Sequence, residues 1–267
     1  MKNFFCIFSA IVMLCSLCAC KSDTPPATKP EAVKTTAAEN PADDLTEPEA
    51  TQPAVKDPIK ELIDSHVFCT NISKDHVPEF IDLLGGESEL GGLLSGFSLD
   101  EEHCFNVTPP EVAAETNMKI FKFSDSCISC VWIDDAVYEL CVSFGGYGFV
   151  NAVPCDFDND GNKDLLVASS WGSGLHRSII SVFNSVSKES TILYDTSSTA
   201  NPGIDLFVAA VIPAYSSIKP EDAPVYYAVY SAKISVNDHL ADLSYTATNL
   251  VGFIEVENGA PIFKPAP

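Results

Sequence analysis

Acidic side chains alternate along residues 156–164, which read Asp-Phe-Asp-Asn-Asp-Gly-Asn-Lys-Asp. A hard divalent cation takes about 6 to 8 oxygen ligands, and a tight loop can supply them from side chains at positions 1, 3, 5 and 9 and a carbonyl at position 7. The spacing predicts a calcium site with these ligands: the carboxylates of Asp156, Asp158, Asp160 and Asp164 and the main-chain oxygen of Asn162. Gly161 permits the sharp turn at position 6, and Asn159 and Lys163 are expected to face solvent. The alternative is an acidic hairpin loop without an ion.

The residues after this loop indicate strands rather than helices on its flanks. An EF-hand needs a bidentate glutamate at loop position 12, but Val167 stands there, inside the apolar run Leu165 to Ala168. This D-x-D-x-D-G-x-x-D pattern leading into an apolar strand resembles the calcium loops of FG-GAP/VCBS repeats. The resemblance covers Tyr147 to Trp171 and implies a calcium ion that staples a β-connection in an extracellular scaffold, with no catalytic duty. Because the loop occurs once, a full propeller of repeated blades is not expected.

A second candidate site follows the strand after the loop. Residues 171–178 read Trp-Gly-Ser-Gly-Leu-His-Arg-Ser. Such a loop could form a ligand surface in which Trp171 stacks on a sugar or peptide, Arg177 pairs with a carboxylate, and His176 lies beside them. The alternative is a hairpin loop whose tryptophan packs in the core and whose arginine balances nearby aspartates. A calcium-bridged anionic ligand is a further alternative, if the metal loop leaves a coordination position open.

Six cysteines lie in the part of the chain rich in apolar residues: Cys69, Cys104, Cys127, Cys130, Cys141 and Cys155. An even number outside the cytoplasm favours disulfides or buried thiols, with 15 pairings open. The C-x-x-C spacing of Cys127 and Cys130 also allows half a zinc site or a redox dithiol. Neither is the favoured interpretation, since the motif runs into Val131 and Trp132 and no second C-x-x-C follows it.

No catalytic motif stands out, because the chain contains no G-x-S-x-G, H-E-x-x-H or Walker A sequence. A binding or scaffold module is therefore expected rather than an enzyme, with an unknown protein, peptide or glycan as ligand. Two enzymatic alternatives stay open. One is an extracellular hydrolase acting on cell-wall or polysaccharide substrates through paired carboxylates, and the other is a thiol oxidoreductase using Cys127 and Cys130.

The pattern of apolar residues predicts a mainly β fold of antiparallel sheets, sandwich-like or partial propeller-like, with a small helical N-terminal part; α+β is the alternative. Ser73 is expected to cap a turn that begins at Lys74 and Asp75. A helix is predicted there, because Val77, Phe80, Ile81 and Leu84 recur at helical spacing, and Gly85-Gly86 ends it. Strands are predicted at Lys119 to Phe123, Ile128 to Ile133, Val137 to Phe144, Ile179 to Phe183, Leu206 to Ile212, Val225 to Val236 and Leu243 to Val256. Turns are expected at Asp134-Asp135 and at Asn258-Gly259, the latter a type I′ hairpin.

The first residues predict export and a lipid anchor. Lys2 precedes an apolar stretch, Phe4 to Leu17, of about 14 residues, which suits a signal peptide and is short for a membrane-spanning helix. The sequence Leu17-Cys18-Ala19-Cys20 predicts removal of residues 1–19 and lipidation of Cys20 in a bacterial membrane; simple secretory cleavage after Ala19 is the alternative. Residues 20–57 predict a disordered Pro/Ala/Thr/Glu spacer.

Residues 58–267 remain as one globular domain, which the lipid on Cys20 would hold at the cell surface.

The formal charge of the chain is −22. Binding to nucleic acid relies on clustered Lys and Arg that neutralise phosphates, and the chain has no such cluster. Nucleic acid is therefore excluded as a partner.

Overall fold

The computed structural model describes residues 67–85, 99–141, 145–198, 203–211 and 225–266. Cys20, the signal peptide and the spacer lie outside the described residues. The described helices are α1 (Val77–Leu84) and α2 (Pro110–Glu115), with a 3-10 turn at Thr196–Ser198. The described strands are β1 (Val67–Cys69), β2 (Cys104–Asn106), β3 (Lys119–Phe123), β4 (Ser129–Ile133), β5 (Ala136–Cys141), β6 (Gly148–Cys155), β7 (Asp164–Trp171), β8 (Arg177–Phe183), β9 (Ser190–Asp195), β10 (Asp205–Val211), β11 (Tyr226–Val236), β12 (Leu243–Glu257) and β13 (Ala260–Pro265).

These strands form three antiparallel sheets in which, apart from β1, paired strands follow one another in the sequence. Sheet 1 has the order β2-β3-β4-β5 and sheet 2 the order β6-β7-β8-β9. Sheet 3 runs β10-β11-β12, and both β1 and β13 pair with β12. Consecutive antiparallel strands need only short hairpin connections, as the turn-rich sequence predicts. The prediction of a mainly β, antiparallel fold is confirmed.

Sheet 2 is covered on both faces. Along β7, Leu165 and Val167 pack in a core shared with sheet 1, whereas Leu166 and Ala168 pack in a core shared with sheet 3. Successive side chains of a strand point to opposite faces, so an unbroken apolar run is the pattern of a strand buried on both sides. The unbroken apolar run of β7 therefore agrees with its position between sheets 1 and 3.

Helix α1 covers the outer face of sheet 1. Phe80 is fully buried and stacks on Phe121 of β3 with ring centroids 4.1 Å apart. The predicted helix and its end at Gly85 are confirmed. Ser73 caps the turn before the helix, because its Oγ accepts a hydrogen bond from the Asp75 backbone N–H at 3.3 Å. The helix itself begins after His76, which has φ of 63°. Gly86 lies outside the described residues.

Two tight turns follow the sequence prediction. Asp134 and Asp135 have φ of 52° and 58° between β4 and β5, and Asn258 and Gly259 have φ of 54° and 79° between β12 and β13. Positive φ at both central residues is the signature of a type I′ turn, whose twist matches that of the flanking strands. These turns fix the register of two hairpins.

Candidate metal centre

The acidic loop is the connection between β6 and β7 in the central sheet. Cys155 and Asp164 are paired at the end of the hairpin, so residues 156–163 form the loop itself. Asn159 and Gly161 have φ of 57° and 86°, which turns the chain sharply at two points. Both are exposed, as is Lys163. The predicted solvent-facing positions of Asn159 and Lys163 are confirmed.

Three of the predicted ligands converge. Asp156, Asp158 and Asp160 each offer a carboxylate oxygen, and these oxygens lie within 4.8 Å of one another. Oxygens bound to one calcium ion at about 2.3–2.6 Å are separated by at most about 5 Å. The group is the one cluster of at least three His, Cys, Asp or Glu side chains within such reach in the described part of the chain.

One carboxylate oxygen of Asp156 indicates that the acidic loop binds a ligand. Its Oδ1 atom is buried and has no hydrogen-bond partner within the protein. A buried carboxylate oxygen without a donor is costly, and such groups are normally paired or bound to a metal. Since all three side chains supply hard oxygen donors, the set fits calcium better than a metal that prefers nitrogen or sulfur.

Asp164 has a different place from the one that the spacing predicts. It is 3 % exposed, and its carboxylate accepts hydrogen bonds from the Ser185 backbone N–H (2.7 Å) and the Asn184 side-chain amide (3.2 Å). Burial raises the pKa of Asp164, and the charges of Asp158 and Asp160 raise it further. Asp164 therefore ties the loop to the β8–β9 connection and lies outside the cluster of three. Its role as a direct ligand stays a prediction.

Asn184 is a site residue that the sequence analysis missed. Its amide donates to Asp158 at 3.4 Å as well as to Asp164, so it links the first half of the loop to the start of β7. It belongs to a different hairpin, and no spacing within residues 156–164 could reveal it. Asn162 donates its backbone N–H (2.7 Å) and its side-chain amide (3.1 Å) to Asp160; its main-chain oxygen stays a predicted ligand.

Phe157 anchors the loop to sheet 3. It is 5 % exposed although acidic residues flank it, and its ring meets Tyr227 of β11 edge to face at 4.9 Å. Aromatic side chains bury a large apolar area and favour this geometry. The order of the acidic loop is therefore coupled to the packing of sheets 2 and 3.

The Trp171, His176 and Arg177 candidates lie at the opposite end of β7. Trp171 pairs with Arg177 across the β7–β8 hairpin, and the guanidinium lies 5.0 Å from the indole ring. The eight residues of β7 span about 25 Å at about 3.3 Å per residue. One small ligand cannot reach both this loop and the acidic loop, so the structure does not bring the two predicted sites together.

His176 is directed to sheet 3 rather than to the Trp171–Arg177 pair. Its Nδ1 lies 3.7 Å from Asp205 Oδ1, and its ring meets Tyr147 at 4.5 Å. Burial raises the pKa of Asp205, which also accepts a hydrogen bond from the Ser170 hydroxyl at 3.1 Å. This group joins the β7–β8 loop to β10, and the role of the three candidates as a ligand surface stays a prediction.

None of the six described cysteines forms a disulfide. Cys69 is exposed and the other five are buried. Burial raises the pKa of Cys130 and raises that of Cys104 and Cys141 to about 12, which disfavours the reactive thiolate. Among the alternatives open from the sequence, the buried thiol is the one present in the structure for these five residues.

Among the described residues, no helix is both long enough and apolar enough to cross a bilayer. Comparisons with protein-family models, with curated proteins and with solved structures found no match.

Proposed function

We propose that this protein is a lipid-anchored, extracytoplasmic binding or scaffold module in which one calcium ion staples the β6–β7 hairpin. The observation that carries the proposal is the convergence of Asp156, Asp158 and Asp160 around a buried carboxylate oxygen that has no partner. The loop is of the FG-GAP/VCBS kind that its sequence resembles. The anchor is proposed from the Leu17 to Cys20 pattern and the spacer after it.

The chemistry of the site suits a structural ion. Calcium would offset two of the three negative charges of carboxylates that otherwise repel one another. The chain's own residues hold those carboxylates through the Asn162, Asn184 and Phe157 contacts. Extracellular calcium modules bind with dissociation constants of about 10⁻⁴–10⁻³ M. With ~1 mM calcium and a dissociation constant of ~0.1 mM, binding adds about 1.4 kcal/mol to the free energy of unfolding. That gain stabilises a hairpin without acting as a switch.

The test is thermal unfolding of the mature chain in millimolar calcium and in chelator. We expect calcium to raise Tm by several degrees, because about 1.4 kcal/mol corresponds to a few degrees for a domain of this size. The Asp158→Asn plus Asp160→Asn variant should lose this shift.

A matched control is Glu101→Gln plus Glu102→Gln, which removes the same charge from exposed residues elsewhere. It should keep the calcium shift. An equal shift in the aspartate variant, or no shift in the parent protein, would contradict the proposal for the metal site.

The described geometry gives the thiol oxidoreductase no support. Cys127 and Cys130 are both buried, and burial raises the pKa of Cys130. A redox dithiol needs a thiolate that its substrate can reach. No observation on the described residues favours the hydrolase either, so the binding or scaffold module is the function proposed.

A further inference from the structure

A cavity of about 450 Å³ opens where sheets 2 and 3 meet, beside the acidic loop. Strands β6, β10, β11 and β12 contribute to its walls, together with β1 and α2. Cavities of 300–1,000 Å³ are the usual size of small-molecule sites. This volume lies outside the metal centre, although Lys163 of the acidic loop stands at its edge.

The floor of the cavity is a cluster of aromatic rings, of which Phe68 and Tyr227 are half-buried and Phe207, Tyr230 and Tyr245 are buried. Phe207 lies 5.4 Å from Phe68, 5.6 Å from Tyr245 and 5.2 Å from Tyr230, measured between ring centroids. Phe68 and Tyr245 are nearly parallel at 5.6 Å. Tyr227 extends this cluster toward Phe157 of the acidic loop. Ring faces carry negative electrostatic potential and attract cations.

Asn151 in the lining of the cavity joins two strands. The Asn151 side chain donates to the Val208 carbonyl at 2.7 Å and accepts from the Val208 backbone N–H at 3.1 Å. These two bonds join β6 to β10 and use about half of the hydrogen-bonding capacity of the Asn151 side chain. Aromatic rings and the charges at the rim provide further contacts for a ligand.

The rim carries more negative than positive charge. Glu111 and Glu115 of α2 are exposed there, and Lys163 lies 3.9 Å from Glu115. Both carboxylates belong to the same lining as the aromatic floor. The net charge of −22 also attracts cations toward the protein.

We propose that this cavity binds a small organic ammonium ion, with its apolar body against the half-buried rings of Phe68 and Tyr227 and its charge beside Glu111 and Glu115. The proposal names a ligand class for the binding module and rests on that proposed function. An anionic ligand would be repelled by the carboxylates of Glu111 and Glu115. A neutral apolar ligand would form no ion pair with them.

Three probes with the same apolar body and different charges test the proposal: 4-phenylbutylamine, 4-phenylbutanol and 5-phenylvalerate. Binding to the mature chain is measured by isothermal titration calorimetry in calcium. We expect the amine to bind about tenfold more tightly than the alcohol, as cation–π and carboxylate contacts allow. The carboxylate probe should bind more weakly than the alcohol.

The Glu111→Gln plus Glu115→Gln variant should bind the amine no more tightly than the alcohol. The control, Glu79→Gln plus Glu189→Gln, removes the same charge from exposed residues that do not line the cavity and should keep the preference for the amine. Phe68→Leu should lower the affinity for the amine and the affinity for the alcohol to a similar extent, because it removes part of the aromatic floor.

Absence of amine binding, or equal affinity for all three probes, overturns the proposal. Loss of the preference in the control variant also overturns it, because the effect would then come from net charge alone. The calcium-dependent Tm is a separate readout of the metal site. Failure of the metal proposal therefore shows as a missing Tm shift, and failure of the cavity proposal as missing selectivity among the probes.

Discussion

Lys122 is a basic side chain that the fold buries completely. It lies on β3 between Phe121 and Phe123, is 0 % exposed, and donates from Nζ to the Phe149 carbonyl at 3.0 Å. That carbonyl lies at a bulge in the pairing of β6 with β7. Burial lowers the pKa of Lys122 to about 7, against 10.5 in water. The lysine therefore satisfies an irregular piece of backbone and is destabilising when charged.

We predict that Lys122→Met and Lys122→Gln both change how stability depends on pH. A lysine whose pKa is lower in the folded state binds more protons when unfolded, so its destabilising effect is complete below about pH 7 and disappears above about pH 10.5. Relative to either variant, the parent protein should gain stability as pH rises through this window. The gain should be on the order of a few kcal/mol.

Urea unfolding at pH 7 and pH 9.5 measures this difference. Comparison of parent and variant cancels the titration of the buried cysteines, which acts in the opposite direction. Gln keeps a donor for the Phe149 carbonyl and Met does not, so the Gln variant should be the more stable of the two. A pH dependence unchanged by both substitutions would contradict the buried-charge account.

At the scale of the elements, the start of β6 depends on a glycine. Gly148 has φ of 67°, and a Cβ atom there would lie 1.9 Å from the Cys127 carbonyl oxygen. Sheets 1 and 2 approach each other closely at this point, since Cys127 precedes β4 and Gly148 begins β6. Only a residue without a side chain permits both the positive φ and the approach.

We predict that Gly148→Ala lowers the free energy of unfolding by about 3 kcal/mol or more, from left-handed strain and a backbone clash together. Gly259→Ala is the matched control, since Gly259 has φ of 79° and open space around its Cβ position. The Gly259→Ala substitution should lower the free energy of unfolding by about 1–2 kcal/mol from backbone strain alone. If urea unfolding shows that both variants lose the same free energy of unfolding, the close approach of Gly148 to Cys127 does not contribute to stability.

At the scale of the whole molecule, the described residues form four layers. Helix α1 lies on sheet 1, sheet 1 packs on sheet 2, and sheet 2 packs on sheet 3. The acidic loop and the aromatic cavity both lie at the meeting of sheets 2 and 3, linked through Phe157 and Tyr227. The chain separates into two units, Met1–Gln52 and Pro53–Pro267, and all the packing described here belongs to the second.

The proposed anchor predicts a cell-scale outcome for the full chain. Cys20→Ser should move the protein from the membrane fraction to the soluble fraction, because the lipid attached to Cys20 is the proposed membrane contact. Cys18→Ser is the matched control and should leave the protein in the membrane fraction. Immunoblots of the two fractions measure the result, and membrane retention of the Cys20 variant would contradict lipidation at that residue.

The sequence alone was enough for the features that depend on neighbouring residues. The turns at Asp134-Asp135 and Asn258-Gly259 follow from local φ preferences, and the end of α1 at Gly85 and the antiparallel β class follow from periodicity and turn spacing. The alternation of carboxylates was enough to predict that Asp156, Asp158 and Asp160 meet. Strand β9 was missed because its apolar residues, Ile192 to Tyr194, form a run of only three, and none of its residues is fully buried.

Only the tertiary structure decided which distant groups meet. Asn184 and Ser185 hold Asp164 from another hairpin, Lys122 becomes buried because sheet 2 covers the face of β3 that carries it, and five elements enclose the aromatic cavity beside α2. The sequence could not predict these contacts because a side chain's burial and partners depend on which sheet packs against it. That packing is set by the sum of many apolar contacts across the chain, and no local spacing records it.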